Sequence, residues 1–252
     1  MIRSIKSRIR DEQFNPSWVG IFCNESFIIR RKLVEVIGRE SHHFDGHLLD
    51  FGCGSKPYEA LFSGASNYVG LDLEVSGFSG EFKHADLFYD GTTLPFPNNT
   101  FDSAIAIEVL EHVPNVEQIL LELNRVLKPN GKILITTPFM YPEHEEPYDF
   151  YRFTPSGLKN LMKDDWNIIH IEKLNNSHDV IFQLLLRNQV VSIKNVSAFV
   201  GKVRKILIIS FFNIFWLSTI KLFRKNTASY TNILVIAEKR QILISEKGNQ
   251  PR

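Results

Sequence analysis

Apolar and polar positions recur along the chain in two periods, and the switches between them lay out its elements. From 25 to 40, ESFIIRRKLVEVIGRE sets Phe27, Ile28, Leu33, Val34 and Ile37 at helical spacing with polar neighbours opposite. HLLDFGCG is a short apolar run that breaks into glycines, the pattern of a buried strand ending in a turn. NYVGLDL (67–73) repeats an apolar run ending in an acid, and EFKHADLF (81–88) predicts a third, weaker strand. FDSAIAI, after a Pro/Asn turn, is a fourth. NVEQILLELNRVL (115–127) is amphipathic and helical, stopped by Lys128-Pro129-Asn130-Gly131. GKILITTPF (131–139) is a β-branched strand. TPSGLKNLM (154–162) opens a helix at a threonine cap with proline in first position. WNIIHIEKL (166–174) and TNILVIAEK (231–239) are two further strands.

Strands alternating with helices predict an α/β protein, a parallel sheet covered on both faces. The stretch 178–228 interrupts that alternation with helical character and reads as an insertion. The expected layout is an N-terminal helical segment (1–44), a core (45–175), a helical basic and apolar insertion (176–228), and a final strand and tail (229–252).

Composition narrows the class. Apolar residues at 44% and charged residues at 23% exclude a disordered or collagen-like chain. Two cysteines, Cys23 and Cys53, exclude a disulfide framework or thiolate zinc cluster, so a cytoplasmic setting is expected. The opening MIRSIKSRIRDEQF alternates charge with isolated isoleucines and lacks the apolar core of a secretory signal; it reads as a solvated or docking helix. The net charge of +1 conceals polarity: residues 180–237 carry eight basic residues and no acid, while 11–179 carry −13. Such a polarised molecule calls for a reason.

Candidate chemistry starts at LLDFGCGSKPY (48–58). Asp50 lies near the end of a strand, and Gly52 and Gly54 let the backbone turn close to a ligand. A dinucleotide fingerprint needs glycine at position 57, where Pro57 stands, so a pyrophosphate loop is disfavoured and adenosine-type binding stays open. Asp72, ending YVGLDL, is placed to accept from both hydroxyls of a ribose.

LLDFGCGSKPY, YVGLD, HADL, LPFPNNTFDSAIAIEVLEHV and RVLKPNGKILITTPF together resemble the class I S-adenosylmethionine-dependent methyltransferases over about residues 45–175, resuming at 231–239. The chain departs from that family at its third glycine, which is Lys56 here. The resemblance implies a Rossmann-like seven-stranded, mostly parallel sheet with its last strand antiparallel, a helical insertion before that strand, and S-adenosyl-L-methionine as cofactor. It implies Gly52 and Gly54 at the methionine portion, Asp50 near its amino group and Asp72 on the ribose. Asp86 and Leu87 would meet the adenine, and Glu108 would lie near the sulfonium. Glu111 and His112 read equally as helix capping and as catalysis.

Methyl transfer chiefly demands alignment and exclusion of water, and no compact His/Asp/Glu spacing requires a metal. A hydroxyl acceptor still needs a base. The loop MYPEHEEPYDFYRFT after the fifth strand packs His144, Glu145, Glu146, Tyr148, Asp149, Tyr151 and Arg152 together, suiting a polar, ring-shaped acceptor. His144 is the candidate base, because imidazole titrates near neutrality, with Tyr148 and Asp149 completing the catalytic set. An Asp149–Arg152 pair that only fixes the loop is the structural alternative. Similar loops occur in methyltransferases of bacterial surface-polysaccharide pathways, which implies O-methylation of a saccharide or lipid-linked saccharide. Methylation of another small molecule at N or O, or a non-catalytic binding module, are the alternatives. Ile206 to Ile220 runs fifteen residues without charge between Arg204-Lys205 and Lys221, short of the about 20 that span a bilayer. A membrane-surface element through 178–228, at the inner face of the cell membrane, is expected, with a buried helix or a homodimer contact as alternatives. No nucleic-acid partner is expected.

Overall fold

The computed structural model describes residues 11–74, 84–192, 198–222 and 226–241. Residues 1–10, the start of the expected strand 81–88, and Lys194, Arg224 and Lys225 lie outside them.

Seven strands form one sheet: β1 (Gly46–Phe51), β2 (Ala65–Leu73), β3 (Leu87–Tyr89), β4 (Phe101–Ile107), β5 (Leu127–Pro138), β6 (Trp166–Leu174) and β7 (Asn232–Lys239). Their spatial order is β3-β2-β1-β4-β5-β7-β6. The first five run parallel; β7 enters antiparallel between β5 and β6, pairing Leu134 with Ile236 and Ile171 with Val235. The reversal of strand order falls between β1 and β4, so the crevice beyond their C-terminal ends is the natural ligand site.

Helix α1 (Phe27–Glu40) turns Ile29, Leu33, Val36 and Ile37 onto one face of the sheet, against Leu48, Ile105, Leu134 and Leu234. The other face is covered by α2 (Val116–Val126) and α3 (Pro155–Met162), through Ile119, Leu123, Leu158 and Met162. Asn115 caps α2, and Thr154 caps α3 by accepting from Gly157, with Pro155 behind it. These fully buried aliphatic side chains each stabilise the fold by about 1.5–3 kcal/mol relative to exposure.

Two boundaries differ from the sequence expectation: β3 is Leu87–Tyr89 against the expected 81–88, of which 81–83 lie outside the described residues, and β5 starts four residues early. Strand β5 begins at Leu127, which pairs with Phe101, and a register shift carries the chain to Lys132 opposite Ser103. The Lys-Pro-Asn-Gly segment therefore ends the helix and also kinks the strand, with Asn130 at φ 64°. Between β1 and β2 the only helical element is the single 3₁₀ turn Glu59–Leu61. α1, supplied by the 1–44 segment, covers that face instead.

Residues 176–228 hold α4 (Ser177–Val191), opened by an Asn176/Asp179 capping box, and α5 (Ala198–Thr219), continued by a 3₁₀ turn to Leu222. Specific buried bonds seat the pair on the N-terminal region. Asn213 donates to the carbonyls of Ile21 and Asn24, and Gln183 to that of Glu25. Trp216 donates to Asp179 at 2.7 Å and packs on Phe27.

Candidate active site

A cavity of about 510 Å³ opens where β1 and β4 diverge, inside the range of about 300–1,000 Å³ usual for small-molecule sites. One end is the glycine turn. Gly52 and Gly54 have φ of 69° and 52°, the left-handed region that glycine enters without penalty. A Cβ on Gly54 would meet nothing within 4 Å, so its backbone faces open cavity, whereas one on Gly52 would meet Val109 at 2.1 Å. Gly52 is thus required by close packing on the β4 loop. Lys56 keeps the left-handed backbone at φ 53° that the family's third glycine would supply, and its ammonium binds Asp86.

Asp72 holds the turn together, its carboxylate accepting from the Gly54 N–H at 2.9 Å and the Leu73 N–H at 2.7 Å. Asp50 is buried beside it and accepts from the Tyr68 hydroxyl at 2.7 Å. Burial pushes Asp50 up to about 7, against the hydrogen bond from Tyr68 and the charge of Lys56. Asp50, Gly52, Gly54, Asp72 and Glu108 all line the cavity. Asp86 and Leu87 do not: the Asp86 carboxylate accepts from the Gly70 N–H at 2.7 Å and from Lys56, and Leu87 is exposed at the sheet edge.

Glu108 ends β4 at φ 51°, a backbone conformation that a non-glycine residue holds only where its surroundings impose it. Its Oε2 accepts from Asn232 at 2.7 Å, while Oε1 is buried without a hydrogen-bond partner among the described residues. Burial pushes Glu108 up, opposed by Arg30, Thr136 and Asn232. The next carboxylate, Glu111, is fully buried with neither oxygen hydrogen-bonded among the described residues, and burial followed by the charge of Glu108 raises it strongly.

The opposite wall comes from the loop after β5. His144, Glu145 and Tyr148 line the cavity; Asp149 does not. The Asp149 carboxylate is buried behind His144, accepting from its Nδ1 at 3.1 Å and its N–H at 2.9 Å, and a two-pronged Arg152 contact at 2.6 Å clamps it. Burial pushes Asp149 up, but the bonds from Arg152 and His144 outweigh it and hold it at about 2. Burial, then His112, lowers His144, so its ring is neutral near pH 7 with Nδ1 donating to the ionised Asp149, which leaves Nε2 as an acceptor with no hydrogen-bond donor among the described residues. His112 is fixed the same way: its Nδ1 lies 2.8 Å from the Tyr148 carbonyl, which only accepts. Asp149 is therefore a positioning residue for His144, and the loop-fixing Asp149–Arg152 pair is also present.

Three lining residues escaped the sequence reading. Arg30, on α1, donates to the Tyr58 hydroxyl at 3.1 Å and faces the cavity beside Glu108; its helical spacing marked it only as polar. Tyr141 and Asn232 reach the site from the ends of β5 and β7. The sequence reading also missed the juxtaposition of Glu111 and His112 with His144, which lies 32 residues further on.

The fold and this crevice define a Rossmann-like α/β domain with a ligand site at the switch point of its sheet. A family model described as "Methyltransferase domain" matches residues 49–135. The ubiquinone/menaquinone biosynthesis C-methyltransferase UbiE of Teredinibacter turnerae is 39% identical over 89 residues, 34% of each chain. The sterol 24-C-methyltransferase of Yarrowia lipolytica is 35% identical over 127 residues, 44% of this chain and 32% of that protein. An uncharacterized protein of Methanocaldococcus jannaschii is 35% identical over 160 residues, 62% of this chain and 70% of its own length. Among solved structures, the phosphoethanolamine N-methyltransferase 2 of Haemonchus contortus in complex with S-adenosyl-L-methionine superposes with TM-score 0.52. It is 18% identical and covers 95% of this chain and 61% of its own, a likeness of fold. These likenesses support an S-adenosylmethionine-dependent methyltransferase domain over residues 49–135, with S-adenosyl-L-methionine as its cofactor. The chain spans about a third of the length of the first of these curated relatives.

Proposed function

We propose that this chain transfers a methyl group from S-adenosylmethionine to a hydroxyl of a saccharide, free or carried on a lipid. The carrying observation is the single cavity that joins the glycine turn to the His112 and His144 wall. The open space at Gly54, the acceptor oxygens of Asp72 and the unpartnered Oε1 of Glu108 fit the methionine, ribose and sulfonium of the cofactor respectively. When bound, the cofactor supplies an electrophilic methyl group. Asp50 receives its amino group, and Asp86 with Leu87 stays outside the cavity wall, the carboxylate already engaged by Lys56 and the Gly70 N–H. His112 and His144 meet the acceptor hydroxyl and are where its proton is lost as oxygen bonds to the methyl carbon and the carbon–sulfur bond breaks. Tyr148, Phe150 and Tyr151, all exposed at this loop, offer ring faces to a sugar.

Calorimetry with S-adenosylmethionine tests the cofactor half, and the absence of binding overturns the enzyme reading. Because Asp50 titrates at about 7 and accepts an ammonium only when ionised, affinity is expected to be about tenfold weaker at pH 6 than at pH 8. A flat profile removes Asp50 from the amino group. Transfer of labelled methyl to free saccharides, lipid-linked saccharides and quinones tests the acceptor. The quinone arm is included because relatives are named for quinone and sterol C-methylation; product there alone favours an apolar acceptor.

We also propose that α4 and α5 dock on an anionic membrane from the cytoplasmic side. The helix Phe199–Leu222 is long and apolar enough to cross a membrane by length and composition. A single crossing would separate β7 from the sheet, in which it pairs with both β5 and β6, so the helix lies along the surface. Phe199, Leu207, Phe211 and Leu222 are exposed on it, with Lys202 and Arg204 at its start and Lys221 at its end. Co-sedimentation is expected with anionic vesicles and much less with neutral ones. Equal pelleting with both, or none with either, leaves a contact between copies as the account of that face.

A further inference from the structure

Glu111, His112 and His144 bring one ligand atom each within 4.8 Å of one another at the cavity wall. We propose that these three residues form a site for a first-row divalent transition-metal cation. Two imidazoles and one carboxylate are a ligand set such ions accept, with positions left open for a further oxygen ligand.

Each residue is prepared for that task. His112 spends Nδ1 on the Tyr148 carbonyl and His144 spends Nδ1 on Asp149. A second-shell acceptor on one ring nitrogen is the usual way a protein fixes the tautomer that presents the other to a metal. Arg152 in turn clamps Asp149, so the second shell is itself held. Glu111 is fully buried, neither of its oxygens has a hydrogen-bond partner among the described residues, and Oε1 lies 3.8 Å from Nε2 of His112. A buried carboxylate normally has a hydrogen-bond partner or an ion, since burial of an unpaired charge is costly. Glu108 adds a second buried carboxylate close enough to act on Glu111, so a cation would offset both. Ligand atoms about 2.0–2.2 Å from one tetrahedral ion stand about 3.4 Å apart, so side-chain shifts of up to about 1.5 Å close the site.

His112 and His144 line the cavity, so the open positions of the ion face the acceptor. The role follows from the proposed O-methylation and rests on that reading. A hydroxyl bound to the cation is acidified and gives its proton to water, and the resulting alkoxide attacks the methyl carbon as the carbon–sulfur bond breaks. His144 then acts as a ligand, with Asp149 as its positioning residue.

The test uses the full chain stripped with a chelator and titrated with Co²⁺, followed by calorimetry and by the visible absorption of the bound ion. One saturable Co²⁺ per chain is expected, displaced by Zn²⁺. Glu111→Gln and His144→Gln are each expected to weaken it by more than the about 10–100-fold that loss of a second-shell partner produces. Glu111→Gln keeps the side-chain shape and removes a buried charge, so its thermal midpoint verifies that lost binding is not unfolding. S-adenosylmethionine is titrated into the same samples. Cofactor binding without saturable Co²⁺ binding, or parental Co²⁺ affinity in both variants, overturns the metal site alone; loss of cofactor binding in the parent overturns the methyltransferase reading instead.

Discussion

His144→Ala is expected to lower turnover by about 10²–10⁴-fold while leaving affinity for S-adenosylmethionine within a few-fold of the parent. The ring lines the acceptor end of the cavity, opposite the glycine turn, so its loss does not touch the cofactor's ribose or amino partners. Its removal also leaves the Asp149 carboxylate with Arg152 and one backbone N–H but without the imidazole it positions. Asp149→Asn is expected to act in the same direction and more weakly, because the asparagine retains an acceptor for Nδ1 while losing the charge that Arg152 grips. Single-turnover rates with a confirmed acceptor, alongside calorimetry, read the split. Turnover near the parent value in His144→Ala would place proton loss and acceptor binding elsewhere in the cavity.

Gly54→Val is expected to abolish measurable cofactor binding, by at least about 100-fold or 2.7 kcal/mol, with a folded protein. A side chain at Gly54 projects into empty cavity, so the folded state tolerates it apart from the about 1–2 kcal/mol of a left-handed non-glycine residue. Gly52→Val is the instructive contrast. From sequence, both glycines read as sites of close approach to ligand, yet a Cβ at Gly52 strikes Val109 at 2.1 Å. That variant is expected to lose stability together with binding and so reports packing. A Gly54→Val protein that melts like the parent and binds cofactor like the parent would move the cofactor out of this crevice.

Much of the fold was legible because it rests on local chemistry. Apolar runs bounded by turns and the 3.6-residue period placed six of the seven strands and the helices α1, α2 and α3 near their observed bounds, while the strand expected at 81–88 is only Leu87–Tyr89 among the described residues; the caps at Asn115 and Thr154 mark where backbone donors need partners. The less accurate boundaries have tertiary causes. Leu127 joins β5 by pairing with Phe101 on β4, far from it in the chain. Asp86 reads as an adenine partner from its position after the glycine turn, but Lys56, the residue that replaces a glycine, reaches across from the turn and occupies it.

By itself the sequence determined the class of fold, the glycine turn with Asp50 and Asp72, and the loop that carries His144, since each is a short run whose residue types state a local backbone or hydrogen-bonding need. Only the tertiary structure decided what stands beside what. It set Arg30 and Asn232 against Glu108, put Asp149 behind His144 in place of the cavity wall, and left the apolar side of α5 outward while Asn213 and Trp216 bind inward. It also brought Glu111 and His112 to His144 across 32 residues. Strand order and register set such distances, and they arise from sheet packing between segments far apart in the chain, to which no local pattern of residues refers.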